Sequence, residues 1–285
     1  MTRAAAFAEA RAAFHADVGR FLSIDGGVPA NADKDSRVSV EIARGIAARI
    51  GARTERARLS GQAAGKAFET ACSEFVRRTF LELGHLRPGK WRILHVHGRD
   101  RLEIAQYDQY VHLQELAALA KANPALSAAL GSDYMIAPDI VVAREPEDDT
   151  AINARAPLVD SATATLASLR KRDGAAPLLH ASISCKWTIR SDRAQNARSE
   201  GLNLVRNRKG RLPHIVVATG EPLPNRLASI SLGTGDIDCV YHFALPELRE
   251  AVAALGHGDT TEMLDTMIGG KRLKDISDLP LDLAI

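Results

Sequence analysis

His180-Ala-Ser-Ile-Ser-Cys-Lys-Trp-Thr-Ile-Arg-Ser-Asp-Arg-Ala-Gln-Asn-Ala-Arg-Ser-Glu200 reads as a strand running into a helix. His180–Ile189 is the expected strand. Ser191 and Asp192 are residue types that cap a helix start. Ala194, Ala197, Gly201, Leu204 and Val205 then recur at three- and four-residue spacing, which predicts a helix over 193–207. Downstream, 213–219 and 238–244 read as further strands. Upstream, 134–143 is a strand candidate with the apolar run Ile140-Val141-Val142. The 145–178 segment between the two central strands turns from acidic to Ala/Ser/Thr-rich to basic. It reads as an insertion with one short helix. The strongest helix is 62–83, where Ala64, Phe68, Ala71, Phe75, Thr79 and Leu83 form one stripe, stopped by Gly84 with Pro88 beyond. Glu69 falls at the edge of that stripe. Strand 91–97 and helix 103–121, ended by Asn123-Pro124, follow it. Residues 3–22 read as an amphipathic helix, 25–37 as loop and 39–50 as a short helix. The alternation predicts an α/β fold with a mixed central sheet flanked by helices. No Gly/Ser/Pro-rich boundary divides the chain, so one domain over 1–285 is expected.

The 285 residues, at 46% hydrophobic and 25% charged, suit a globular protein with a substantial core and exclude a disordered or fibrous chain. The longest run without Asp, Glu, Lys or Arg is 12 residues, from Gly174 to Cys185, too short for a membrane-spanning helix. Glu9, Arg11 and Asp17 interrupt the alanine-rich start, so no secretory signal is read and the cytoplasm is the expected location. Cys72, Cys185 and Cys239 are too few and too scattered for a disulfide scaffold or a zinc ribbon. The net charge is only +2, yet Lys186 to Arg211 holds eight basic residues against two acidic ones. On charge alone that run fits a phosphate-facing patch and a solvated helix face equally well.

Three pieces share one chemistry. Pro138-Asp139 lies in the first central strand. Ser184-Cys185-Lys186 lies in the next, with 44 residues between Asp139 and Ser184. Glu200 lies in the following helix, with 13 residues between it and Lys186. Phosphodiester hydrolysis needs a divalent metal held by hard oxygen ligands, a positioned water and neutralisation of developing charge. Asp139, Glu200 and Lys186 supply those groups. Each piece has a plainer reading: Pro-Asp in a turn, a snorkelling strand lysine, a solvated helix carboxylate.

The run 180–200 resembles the CCGG-cutting branch of the PD-(D/E)XK restriction endonucleases. The resemblance continues through 201–217. It returns at 238–245, 270–284, 131–134, 138–140 and 67–69, and is weakest over 1–60 and 145–175. The wider superfamily places Asp or Glu two residues before the lysine; here that position is Ser184, and in this branch the following helix supplies the missing carboxylate, here Glu200. The resemblance implies a PD-(D/E)XK core. It implies that Asp139 binds the catalytic Mg²⁺ together with the backbone carbonyl of Cys185. Lys186 would orient or deprotonate the attacking water, Glu200 would complete the acidic metal site, and Glu69 would join it from the N-terminal helix. The plainer reading of Glu69 is a helix surface residue. The Cys185 thiol is expected only to pack, because Mg²⁺ avoids sulfur.

Arg190-Ser-Asp-Arg193 falls at a strand end and helix start, where side chains can enter a major groove. Arginine pairs with guanine O6 and N7, and aspartate accepts from cytosine N4, so Arg190, Asp192 and Arg193 suit a CCGG core. The alternative for Asp192 is an N-cap. The resemblance adds Asp33 and Arg226 as readers of an outer C and G, and Gln62 at the minor groove. Together these imply double-stranded DNA containing GCCGGC, and the resemblance implies a cut after the first G that leaves 5′-CCGG extensions. A palindrome calls for a twofold dimer. The resemblance further implies a homotetramer and a cognate DNA methyltransferase in the same system. Two other functions compete: a repair or recombination nuclease with little sequence preference, and a DNA-binding protein with a relic active site.

Overall fold

The structure, a computed structural model, describes residues 4–52, 59–96, 103–131 and 136–285. The expected helix start at Arg3, the end of the 91–97 strand at His97, positions 134–135 of the next strand and residues 132–134 of the Gly131-Ser-Asp-Tyr134 match lie outside those residues.

The chain begins with α1 (Ala6–Phe21), a small antiparallel hairpin of β1 (Ile24–Asp25) and β2 (Val28–Pro29), α2 (Arg37–Arg49) and α3 (Gly61–Phe80). β3 (Trp91–His95), α4 (His112–Ala122), α5 (Pro124–Leu130), β4 (Ile140–Arg144) and the single turn α6 (Asp149–Ile152) follow. The remainder runs β5 (Leu178–Lys186), α7 (Ser191–Asn207), β6 (His214–Thr219), α8 (Pro224–Ser231) and β7 (Cys239–His242). It closes with α9 (Leu245–Leu255), α10 (Gly258–Gly269), β8 (Leu273–Asp275) and α11 (Leu279–Asp282).

Strands β3 to β8 form one six-stranded sheet in chain order. The β3–β4 and β4–β5 pairs are antiparallel, and β5 to β8 run parallel. This is the mixed sheet expected from the sequence. Alternation sorts the side chains: Ile140 and Val142 join the large core that includes Phe68, Cys72 and Phe75 of α3, whereas Val141 and Ala143 join a second core with Tyr107, Tyr110 and Leu204. Both faces are therefore covered, which is why β4 opens on the continuous apolar run Ile140-Val141-Val142-Ala143 and why the polar His180, Ser182 and Ser184 of β5 are buried as well. A register shift between Val142 and Ala143 sends Leu179 to the second core while Ala181, Ile183 and Cys185 face the first.

Several boundaries differ from the expectations, each for a physical reason. Asp139 precedes β4 rather than lying within a strand. Its carbonyl still accepts from Val96 N–H at 2.9 Å, which continues the ladder with β3. The 103–121 helix is broken: two 3₁₀ turns, Glu103–Gln106 and Asp108–Tyr110, precede α4. Tertiary contacts override the helical pattern there. Tyr107 and Tyr110 are fully buried, and the Gln109 amide exchanges two hydrogen bonds with the backbone of Leu179, at 2.7 and 2.9 Å. Asn123-Pro124 ends α4 but also starts α5. Asn123 Oδ1 accepts from Ala125 and Leu126, and Pro124 fills the first helical position. The 25–37 loop contains the β1–β2 hairpin, and helices α8 to α11 and strand β8 had no counterpart in the sequence reading.

Candidate active site and nucleic-acid interface

Antiparallel pairing of β4 with β5 sets Ile140 opposite Ile183, so the residue before β4 meets the last residues of β5. Asp139 Oδ2 accepts from Cys185 N–H at 2.6 Å and lies 3.3 Å from Lys186 Nζ. The Ser184 hydroxyl is 3.5 Å from that same oxygen and 3.4 Å from Glu200 Oε2. Its one proton serves one carboxylate at a time. Ser184 and Lys186 point to the face opposite Cys185, toward α7, and α7 brings Glu200 down onto them. Cys185 points the other way, into the core, where its thiol meets that of Cys72 and is pushed up well above the ordinary thiol range by that contact and by burial.

The electrostatics are those of a partly desolvated acid–lysine–acid cluster. Burial pushes Glu200 above its ordinary carboxylate value, Asp139 adds to this, and Lys186 opposes it. Burial alone would lower the Lys186 ammonium, but Asp139 and Glu200 outweigh it and hold the group above its ordinary value. Two carboxylates crowded at one strand end, one of them resisting ionisation, are relieved by a cation. Their oxygens and a backbone carbonyl form a hard donor set suited to a divalent metal. Among the described residues, no group of three or more His, Cys, Asp or Glu side chains is arranged for a metal ion, so such a site rests on two carboxylates plus the main chain.

Glu69 stands beside this set rather than within it. The half-buried carboxylate lies 3.3 Å from His95 Nε2, at the end of β3 where His95 pairs with Ile140. Burial lowers the His95 pKa, and Asp139 pulls it up.

The proposed base readers gather nearby. A cleft of about 670 Å³ is lined by Asp33, Ser60, Trp187, Arg190, Arg193 and Arg226. Asp33 Oδ2 accepts from Arg226, and the Asp35 N–H, that guanidinium and Arg190 behind it hold the carboxyl below its ordinary range. Arg193 is anchored by Thr188, with Nη1 donating to Oγ1 at 2.8 Å and to the carbonyl at 3.3 Å. Arg190 is exposed at the N-cap position of α7. Asp192 lies within the first turn, exposed, so it is not the N-cap, and Gln62 is exposed in the first turn of α3.

Four polar groups at the site carry no role in the sequence-based expectations. Ser184 links two carboxylates, and His95 meets Glu69. Asn31 donates from Nδ2 to Gly220 O at 2.8 Å. Glu221 is wholly buried behind the cleft. Ser184 had a sequence signal, since it occupies the place where the superfamily carries an acid. The other three had none, because their partners are remote in sequence.

The sequence that builds this site matches known proteins. Residues 17–285 match the family model described as NgoMIV restriction enzyme. The curated Type II restriction enzyme NgoMIV of Neisseria gonorrhoeae is 58% identical over 282 residues, which cover 98% of this chain and 99% of that protein. With a mixed sheet and helix α7 that bring an aspartate, a lysine and a glutamate to one strand end, and with matches over nearly its whole length, the chain belongs to the NgoMIV restriction enzyme family and is a Type II restriction endonuclease, a site-specific deoxyribonuclease.

Proposed function

We propose that the enzyme makes Mg²⁺-dependent double-strand cuts at GCCGGC, after the first G, leaving 5′-CCGG extensions. The observation that carries this is the cluster in which Lys186 and Ser184 both meet Asp139 and Ser184 also meets Glu200, within 3.5 Å at each contact. Asp139, Glu200 and the Cys185 carbonyl would hold the cation, which supplies Lewis-acid neutralisation of the scissile phosphate. Lys186 is kept protonated by its two acidic neighbours, which favours orienting the water and steadying the phosphate. It becomes competent to take a proton once that negative charge is offset. Ser184 keeps the two carboxylates apart and oriented. Glu69 acts from α3, through its contact with His95, which in turn feels the charge of Asp139.

Arg190, Asp192 and Arg193 are assigned to the CCGG core, Asp33 and Arg226 to the outer base pair, and Gln62 to the minor groove. Asp33, Arg190, Arg193 and Arg226 are supported by the cleft they share and by the donor and acceptor code of the major groove, whereas Asp192 and Gln62 are not among its lining residues and rest on the resemblance and on that code. The palindrome requires two subunits, and the family resemblance favours a homotetramer working beside a cognate methyltransferase. The chain is read as one catalytic domain over 1–285, with 145–178 inserted between β4 and β5. This is supported by the single sheet, to which helices from both halves of the chain contribute core. Among the described residues no helix is long and apolar enough to cross a membrane, and we assign the enzyme to the cytoplasm.

The test is digestion of plasmids carrying one or two GCCGGC sites, with Mg²⁺ or with EDTA, followed by sequencing of the ends. Discrete Mg²⁺-dependent cuts after the first G are expected, faster on the two-site plasmid. Cuts at a different CCGG-containing site would keep the active site and remove Asp33 and Arg226 as outer readers. EDTA-resistant cutting would overturn the metal assignment.

A further inference from the structure

The geometry points to Glu221 as a positioning residue for sequence discrimination: one buried carboxylate that ties the segment bearing Arg190 and Arg193 to the segment bearing Arg226. This rests on the assignment of those arginines as base readers. Glu221 has 0% relative exposure and lies in the turn between β6 and α8. Its Oε2 accepts from Ile189 N–H at 2.7 Å, the residue immediately before Arg190. Its Oε1 accepts from Leu223 N–H at 3.1 Å, the N-cap of the helix that carries Arg226. Arg226 Nη1 itself lies 3.9 Å away, with Asp33 beyond it, and His242 Nε2 donates to the Glu221 carbonyl at 3.2 Å.

The neighbouring residues extend the same junction. Thr219 Oγ1 donates to Lys186 O at 2.7 Å, and Gly220 N–H to the same carbonyl at 3.2 Å. Gly220 O accepts from Asn31, which holds the loop of Asp33. A side chain at Gly220 would put its Cβ 2.5 Å from the Trp187 ring, so the turn is pressed against the residue that follows Lys186. The segments of Lys186, Arg190 and Asp33 thus meet the 219–223 turn, and from within it the Glu221 side chain bonds both to the residue before Arg190 and to the N-cap of the helix that carries Arg226. A carboxylate taken wholly out of water costs free energy that two backbone N–H bonds only partly return. An apolar residue would be cheaper there if burial were the sole requirement. Because the two oxygens face two different segments, the spacing of the readers is set by one rigid group.

The proposal predicts an effect on discrimination, not merely on the amount of active enzyme. The experiment compares wild type, E221Q and E221D for cleavage of GCCGGC against ACCGGT, which keeps the core and changes only the outer pair. The ratio of the two rates is independent of the active fraction, and circular dichroism monitors folding. In E221Q an amide NH₂ must face one of the two N–H donors, so one link is lost. The ratio is expected to fall about tenfold or more, with Mg²⁺-dependent cutting retained, and to recover partly in E221D. A ratio within about twofold of wild type in folded E221Q overturns the proposal. If E221Q does not fold, E221D decides, and failure of both to fold makes Glu221 a folding element and equally overturns it. A wild-type enzyme that cuts both sites alike removes the outer-pair reading itself, and the positioning role falls with it.

Discussion

At the scale of single residues, the candidate chemistry depends on which atoms share Asp139 Oδ2. That oxygen takes the Cys185 N–H and the Lys186 ammonium together, at 2.6 and 3.3 Å. D139A removes a proposed metal ligand and leaves the cleft of Arg190 and Arg193 in place. Cleavage should fall on the order of a thousandfold or more, while a gel shift on GCCGGC persists. Normal cleavage by D139A would remove the metal role. Arg193 belongs to a different experiment. Its guanidinium is pre-oriented by Thr188, so R193A should reduce discrimination among CCGG-related sites by about tenfold to a hundredfold without loss of fold. An unchanged site preference in competition digests would take Arg193 out of the recognition set. These residues were legible in sequence because each type carries its chemistry with it. Glu221 and Asn31 were not, since a glutamate or asparagine in a turn looks solvated until its remote partners are known.

At the scale of elements, the amphipathic stripe of α3, the apolar runs of β4 and β6 and the strand β5 appear where their patterns placed them. The failures occur where a side chain found a better partner elsewhere. Gln109 bonds across to Leu179, and this long-range contact breaks a segment whose local pattern is helical. The insertion between β4 and β5 has its own fastener. Arg170 reaches Asp149 with Nε at 2.5 Å and Nη2 at 2.6 Å, and donates to the carbonyls of Thr163 at 2.5 Å and Asp160 at 2.7 Å. The strand-like bridge of Glu147 with Arg170 closes the base of the loop. R170A leaves those carbonyls without their donor. It should raise the rate of proteolytic nicking within 153–169 by about tenfold while leaving the central sheet protected in hydrogen exchange. Equal nicking of mutant and wild type would show that the loop is held by other contacts.

At the scale of the whole molecule, buried titratable groups set the response of stability to pH. Burial lowers His180 and His242 to about 4. Both histidines release protons on folding that the unfolded chain keeps below about pH 6.5, so stability falls as pH drops from there toward 4. Glu221 acts in the opposite sense. Burial, against the pull of its two N–H donors and Arg226, pushes it up to about 7. The folded state then holds a proton that the unfolded state has released above about pH 4.5, so this group costs stability as pH rises from 4.5 to 7. E221Q removes that cost. Relative to wild type, its stability in urea should improve by roughly 2–4 kcal/mol between pH 4.5 and pH 7.5, whatever its absolute value. A constant difference across that range would mean that Glu221 ionises normally in the fold.

The sequence by itself determined the α/β class, the types of most elements and the chemical identity of the groups proposed for the site. Those follow from local periodicity and from functional groups that each residue carries regardless of context. Only the tertiary structure decided that Ser184 lies between Asp139 and Glu200, that Glu69 sits with His95, that Asp33 pairs with Arg226, and that Glu221 joins the segment before Arg190 to the start of the helix that carries Arg226. Each of these contacts closes a loop of many residues, and its geometry depends on strand register and helix packing. Local sequence carries no record of such a pairing, because the free energy that selects it belongs to the assembled core.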